Sequence, residues 1–137
     1  MPRNLTSVSL DDGQRMIAAA LARAQELGRD VAAAVVDAAG NLIALGRMDA
    51  APPMTTVAAE AKARCAFTLR RRSSEVHDMM AADIPLALTA VVTTGVAISG
   101  GGVPIMRDGV CIGALGVAGA PIDEEAALAG IAAVFGG

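Results

Sequence analysis

The stretch that decides the fold is ISGGGVPIMRDGVCIGALGV, residues 98–117. Within it, two apolar runs flank the dipeptide Asp108-Gly109, which is the strongest short-range sequence signal for a β-hairpin. Three glycines precede the hairpin at positions 100–102, and glycine permits positive φ angles and the close approach of another backbone or of a ligand. The stretch therefore predicts a buried hairpin entered through a glycine loop. That loop forms either a tight bend or one wall of a small-molecule site.

A second hairpin is predicted in the first half of the chain. Residues 31–36 are a nearly unbroken run of small apolar residues, which is typical of a strand covered on both faces. A turn over residues 38–41 leads into a return strand over residues 42–48. Strands joined by such short connections pair antiparallel, so we expect one antiparallel sheet covered by helices, which is an α/β fold.

Helices are predicted before and between the hairpins. An acidic capping box at residues 9–12 opens the first helix, and Gly28 ends it. The second helix begins at Thr55 or Thr56, either of which is a good N-cap. Helical spacing then places four residues of the second helix on one face, namely Val57, Ala61, Cys65 and Leu69.

The rest of the chain is less regular in its pattern. Residues 73–80 predict a short polar helix, and residues 85–94 predict a less regular connection. Pro121 and the acids Asp123, Glu124 and Glu125 open a last helix, where negative charge favours the first turn. We therefore interpret these acids as a favourable helix start in preference to acid–base machinery.

Composition limits the class of protein. The chain has 137 residues, of which 54% are hydrophobic and 1% aromatic, so it predicts a single domain over residues 1–137 with a core of small aliphatic side chains. Small side chains leave much apolar surface exposed, which favours a homo-oligomer. The net charge of −3 argues against nucleic acid as a partner.

Several kinds of site and location are not expected. Cys65 and Cys111 are too few for a disulfide framework and lack the spacing of zinc ligands, so we interpret both as small buried hydrophobes and predict no metal site. A span of the bilayer needs about 20 apolar residues, and no run of that length occurs. With no recognisable leader, the expected location is cytoplasmic.

Lys62 and Arg47 are the candidate catalytic residues. The stem of Lys62 lies against the apolar face of the second helix, where an amine binds an anion or acts as a base if its pKa falls. The alternative is a lysine whose amine reaches water. Arg47 lies in an otherwise apolar strand, and its guanidinium is suited to hold a carboxylate by two parallel hydrogen bonds. The alternative interpretations of Arg47 are a side chain that faces solvent and a partner in a structural ion pair.

His77 is the one histidine of the sequence. Histidine serves as an axial haem ligand or a general base. Its polar neighbourhood, SSEVHD over residues 73–78, favours a solvated surface position, and both interpretations stay open.

Five motifs occur in one order over nearly the whole chain. They read AVVDAAGNL at 34–42, RMD at 47–49, AKA at 61–63, GGVPI at 101–105 and IGALGV at 112–117. In this combination the chain closely resembles the GlcG/HbpS family, also called DUF336 or haem-degrading. The resemblance implies a profilin-like α/β/α sandwich with a central antiparallel sheet of about five strands, assembled into higher oligomers. It also implies a pocket shared by Arg47, Lys62, Gly101 and Gly102.

Three functions follow as hypotheses. The first is a protein that binds or degrades haem or another tetrapyrrole, with its propionates held by Arg47 and Lys62, the glycine loop against the macrocycle and His77 as a candidate iron ligand. The second is a cofactor-free catabolic enzyme (a lyase, hydratase or tautomerase) for a small keto or hydroxy acid. In that enzyme Arg47 holds the carboxylate and Lys62 transfers a proton. The third is a noncatalytic assembly subunit.

Overall fold

The computed structural model describes residues 2–136. Nine elements follow one another along these residues: α1 (Leu10–Glu26), β1 (Ala32–Asp37), β2 (Leu42–Arg47), α2 (Thr55–Leu69), α3 (Ser73–Met80), α4 (Ile84–Thr94), β3 (Gly102–Arg107), β4 (Val110–Ala118) and α5 (Asp123–Phe135). None of the helices in this range is both long and apolar enough to cross a membrane.

Both predicted hairpins are present and build one antiparallel sheet. The strand order is β2-β1-β4-β3, with β1 and β4 in the centre. Over the described residues the sheet has four strands, not about five, because the two hairpins supply all of them. The prediction for residues 31–36 is confirmed, since every residue of β1 but the last is buried.

Alternate residues of the central strands face two different helical layers. On one face, Val35 and Leu115 join the core formed with α1 and α5. On the other face, Ala34 and Ala114 pack against α2. The molecule is therefore the α/β/α sandwich that the resemblance of its motifs implies.

The α2 layer lies directly on glycines of the sheet. A Cβ on Gly116 would overlap the carbonyl oxygen of Ala59, and one on Gly102 would overlap that of Lys62. This close approach makes the alanine face of α2 the buried one. The predicted face is wrong at its ends, because the side chains of Val57 and Leu69 are exposed.

Two further predictions about helices are wrong. Neither threonine caps α2: Met54 occupies the N-cap, and the Thr55 hydroxyl donates to the carbonyl of Pro52 at 2.6 Å. The segment predicted as a less regular connection is the helix α4. Its start is stabilised by Asp83, whose carboxylate accepts a hydrogen bond from the backbone N–H of Leu86 at 3.1 Å. Proline is tolerated there because the first turn needs no N–H from it.

Candidate functional site

Lys62 is held inside the protein by a buried ion pair. It lies on the alanine face of α2, and only 6% of its surface is exposed. Its Nζ donates to Oδ2 of Asp123 at 2.9 Å and to the carbonyl oxygen of Val117 at 3.2 Å. The alternative interpretation, in which the amine reaches water, is therefore wrong for Lys62 in this structure.

Asp123 completes this pair from the other side. Its carboxylate also accepts hydrogen bonds from the backbone N–H groups of Gly119 at 3.1 Å and Ala120 at 2.9 Å. Taking two charges out of water costs several kcal/mol per ion unless hydrogen bonds compensate, and here each charge has at least two partners. The pair joins α2 to the turn between β4 and α5.

The glycine loop closes around the same pair. Gly101 has a φ of 130°, and a Cβ at this position would overlap the carbonyl of Val117 and lie 3.0 Å from the Cβ of Asp123. The Gly102 N–H donates to the hydroxyl of Ser73 at 2.8 Å, and that hydroxyl donates to the carbonyl of Ser99 at 2.6 Å. The carbonyl of Gly101 also accepts a hydrogen bond from the N–H of Val117 at 3.0 Å, so three backbone groups of the loop are bonded within the protein.

The three acids at the start of α5 each hold a different helix. Asp123 holds α2 through Lys62, as described above. Glu124 accepts a hydrogen bond from Ser74 of α3. Glu125 pairs with Arg23 of α1 at 2.6 Å, and together with Glu26 it raises the pKa of that guanidinium. The acids are a helix start, as predicted, but they also fasten α5 to the other helices.

Arg47 and Lys62 have separate partners in this structure. Arg47 is exposed at the end of β2, and its Nη1 donates to the carbonyl oxygens of Ala51 at 2.7 Å and Asp49 at 3.3 Å. No hydrogen-bond partner within residues 2–136 is common to the two cations. The assignment of both residues to one ligand pocket stays a prediction, which requires these contacts to change.

His77 is the remaining predicted site residue. His77 is exposed on α3, and its Nδ1 lies 3.2 Å from Oδ1 of Asp78. Cys65 and Cys111 are both buried, as the sequence predicts, and burial raises the pKa of the Cys65 thiol to about 11. Across residues 2–136 no group of three or more His, Cys, Asp or Glu side chains is arranged so that it could hold a metal ion.

An open groove of about 1000 Å³ lies along the exposed edge of β3. Its lining comes from the chain between the end of α2 and the start of α3, from β3 and from α5. Its apolar lining includes Leu69, Val103, Pro104, Met106, Leu128 and Ile131. Its charged lining consists of the consecutive arginines Arg70, Arg71 and Arg72 and the single acid Glu75.

No sequence pattern indicates this groove, and none of the predicted site residues lines it. The signal that could have found it is the arginine triplet directly after α2, which is easily explained as charge at a helix end. Volume alone does not identify a site, and this groove combines apolar side chains with four charged ones.

Comparison with known proteins supports the motif resemblance. A family model described as "Haem degrading protein HbpS-like" matches residues 8–133. The GlcG protein of Escherichia coli K12 is 37% identical over 102 residues, which are 74% of each chain. A double mutant of HbpS from Streptomyces reticuli superposes with a TM-score of 0.87 at 33% identity, over 96% of this chain and 89% of that one. A PduOC:heme complex superposes with a TM-score of 0.85 at 30% identity, over 95% and 96% of the two chains.

Proposed function

Since this chain belongs to the family of HbpS-like haem-degrading proteins, we propose that it binds haem or a closely related tetrapyrrole. The observation that carries the proposal is the likeness to the PduOC:heme complex, which extends over 95% of this chain with a TM-score of 0.85. Fold alone does not carry function, so the residues present must also suit such a ligand.

The residues that line the groove along β3 suit a tetrapyrrole. Haem joins a flat apolar macrocycle to two propionate groups, so it needs an apolar wall beside cations. The groove along β3 provides both, with Val103 and Leu128 among its apolar residues and Arg70 among its cations. Met106 also lines the groove, and methionine sulfur is one of the axial haem ligands that proteins use. When bound, haem would supply its iron for redox or oxygen chemistry.

The direct test is a titration of the metal-free purified protein with hemin, followed by absorbance. We expect a saturable shift of the Soret band at a fixed stoichiometry, with the absorbing species co-eluting with the protein in size exclusion. A flat titration, or hemin that separates from the protein on the column, would contradict the proposal.

The proposal includes self-association through α4. None of its residues is buried, and Ile84, Leu88 and Val92 expose 61%, 58% and 78% of their surfaces. Monomeric soluble proteins rarely expose a contiguous apolar patch of this kind, because water contact with it is unfavourable. A second copy that covers α4 removes this surface from water.

The small-acid enzyme stays a prediction. It requires the Lys62 amine to act on a substrate, while in this structure that amine already donates to Asp123 and Val117. A group held in this way must first leave both partners, so no contact described here favours the enzyme over the binding protein.

A further inference from the structure

The groove along β3 combines an apolar floor with an excess of positive charge. Arg70, Arg71 and Arg72 line it together, against the one acid Glu75. Arg70 ends α2 in the left-handed conformation with a φ of 53°, which turns the chain sharply and brings the next two arginines to the same opening. The triplet also follows the carboxyl end of a 15-residue helix, where the helix dipole favours cations.

The existing ion pairs of these arginines are weak. Arg71 lies 4.0 Å from Glu75, and Arg72 lies 3.8 Å from Glu124, with about half of each arginine side chain exposed. Exposed pairs at such distances contribute about 0–1 kcal/mol, since water screens them and the long side chains lose conformational freedom. A carboxylate that meets a guanidinium with two short parallel hydrogen bonds therefore competes well against either glutamate.

We infer that this groove is the ligand site, and that it selects a flat apolar molecule with at least one carboxylate held by Arg70, Arg71 and Arg72. The inference rests on the proposed function and adds to it a chemical requirement, which is the carboxylate that the three arginines hold. Charge complementarity identifies the occupant, because an apolar edge alone would equally suit a second copy of the chain. The pocket residues that the sequence indicated, Arg47 and Lys62, have no part in this assignment.

The test compares ligands with and without carboxylates. Hemin, iron-free protoporphyrin IX and protoporphyrin IX dimethyl ester are titrated into the wild type and into the triple variant R70N/R71Q/R72Q. Asparagine is chosen at position 70 because it tolerates the left-handed conformation. The single variant Arg15→Gln is the control, since Arg15 is an exposed arginine of α1 that pairs only with its own helix.

The expected result is a loss of affinity by about tenfold or more for both free acids in the triple variant, which corresponds to about 1.4 kcal/mol or more. Arg15→Gln should bind hemin like the wild type, and the dimethyl ester should bind both wild type and triple variant equally and weakly. Unchanged melting temperatures would show that the triple variant is folded. A second variant, Leu128→Glu, places a negative charge in the groove and should weaken hemin in the same way.

The remaining outcomes separate the two ideas. Tight hemin binding by wild type, triple variant and Leu128→Glu alike would overturn the groove while the proposed function stands. If hemin does not bind the wild-type protein, both the groove assignment and the proposed function are overturned. If size exclusion shows a dimer that dissociates in Leu128→Glu while its hemin affinity is unchanged, the groove is an interface between copies, and the inference fails.

Discussion

Lys62 of α2 and Asp123 of α5 lie 61 positions apart in the sequence, and their Nζ and Oδ2 atoms lie 2.9 Å apart. Each side chain is almost entirely buried, and the glycine loop covers the pair. Lys62, which the sequence predicts to act on a ligand, thus stabilises the contact between α2, the end of β4 and α5.

Removal of one partner of this pair should destabilise the fold. Lys62→Met leaves the Asp123 carboxylate buried without its counter-charge, and such changes cost about 3–5 kcal/mol. Urea unfolding followed by circular dichroism measures the loss. The double variant K62M/D123L restores part of it, since it buries no charge. If Lys62→Met melts like the wild type but loses turnover of a small keto or hydroxy acid, the Lys62–Asp123 pair is not needed for stability. That result would support the enzymatic hypothesis.

Gly101 should tolerate no side chain. Gly101→Ala places a Cβ against the Val117 carbonyl at a φ of 130°, and we expect a loss of about 1–3 kcal/mol or more in the free energy of unfolding. Gly100→Ala is the matched control, because its Cβ would lie 3.5 Å from that of Ser74, an ordinary contact. Equal stability of the two variants would show that the loop is not tightly packed.

The pH dependence of stability should include a contribution from Cys65. Burial raises the pKa of its thiol from 9.0 to about 11, so the folded state keeps the proton that the unfolded state loses. This contribution is complete below pH 9 and is lost as the pH rises to about 11. Urea midpoints measured from pH 8 to 11 should fall less steeply in Cys65→Ala than in Cys111→Ala. Parallel slopes in the two variants would contradict the assignment.

The apolar surface of α4 should control self-association. Val92→Glu introduces a charge at a residue with 78% exposure, so it should leave the melting temperature of the subunit near that of the wild type. We expect light scattering after size exclusion to give a lower molar mass than for the wild type. Gln14→Glu on α1 supplies the same charge change at an exposed polar site. A mass that does not change in Val92→Glu would exclude α4 from the interface.

Local turn chemistry explains why the hairpins were predictable. Asp108 and Gly109 have φ angles of 51° and 77°, and two positive values in a two-residue loop define the turn that matches the twist of paired strands. Asp-Gly is a residue pair that adopts this geometry readily, so two adjacent letters of the sequence suffice to predict it.

Contacts between distant segments explain what was not predictable. The buried face of α2 depends on how closely the helix approaches Gly102 and Gly116, which helical periodicity does not encode. Spacing placed Lys62 correctly against the apolar face, but its partner comes from another helix. The groove was not predictable because β3, which lines it beside the arginines, begins 30 residues after Arg72 in the sequence.

The three acids that begin α5 also connect parts of the chain that are far apart in sequence. During synthesis Lys62 exists long before Asp123, and until that acid arrives its amine lacks the carboxylate that balances its charge. Arg23 of α1 and Ser74 of α3, which bind Glu125 and Glu124, also precede these acids in the sequence. The start of α5 therefore couples α1, α2 and α3 through three polar contacts, and we expect its disruption to loosen all three helices at once.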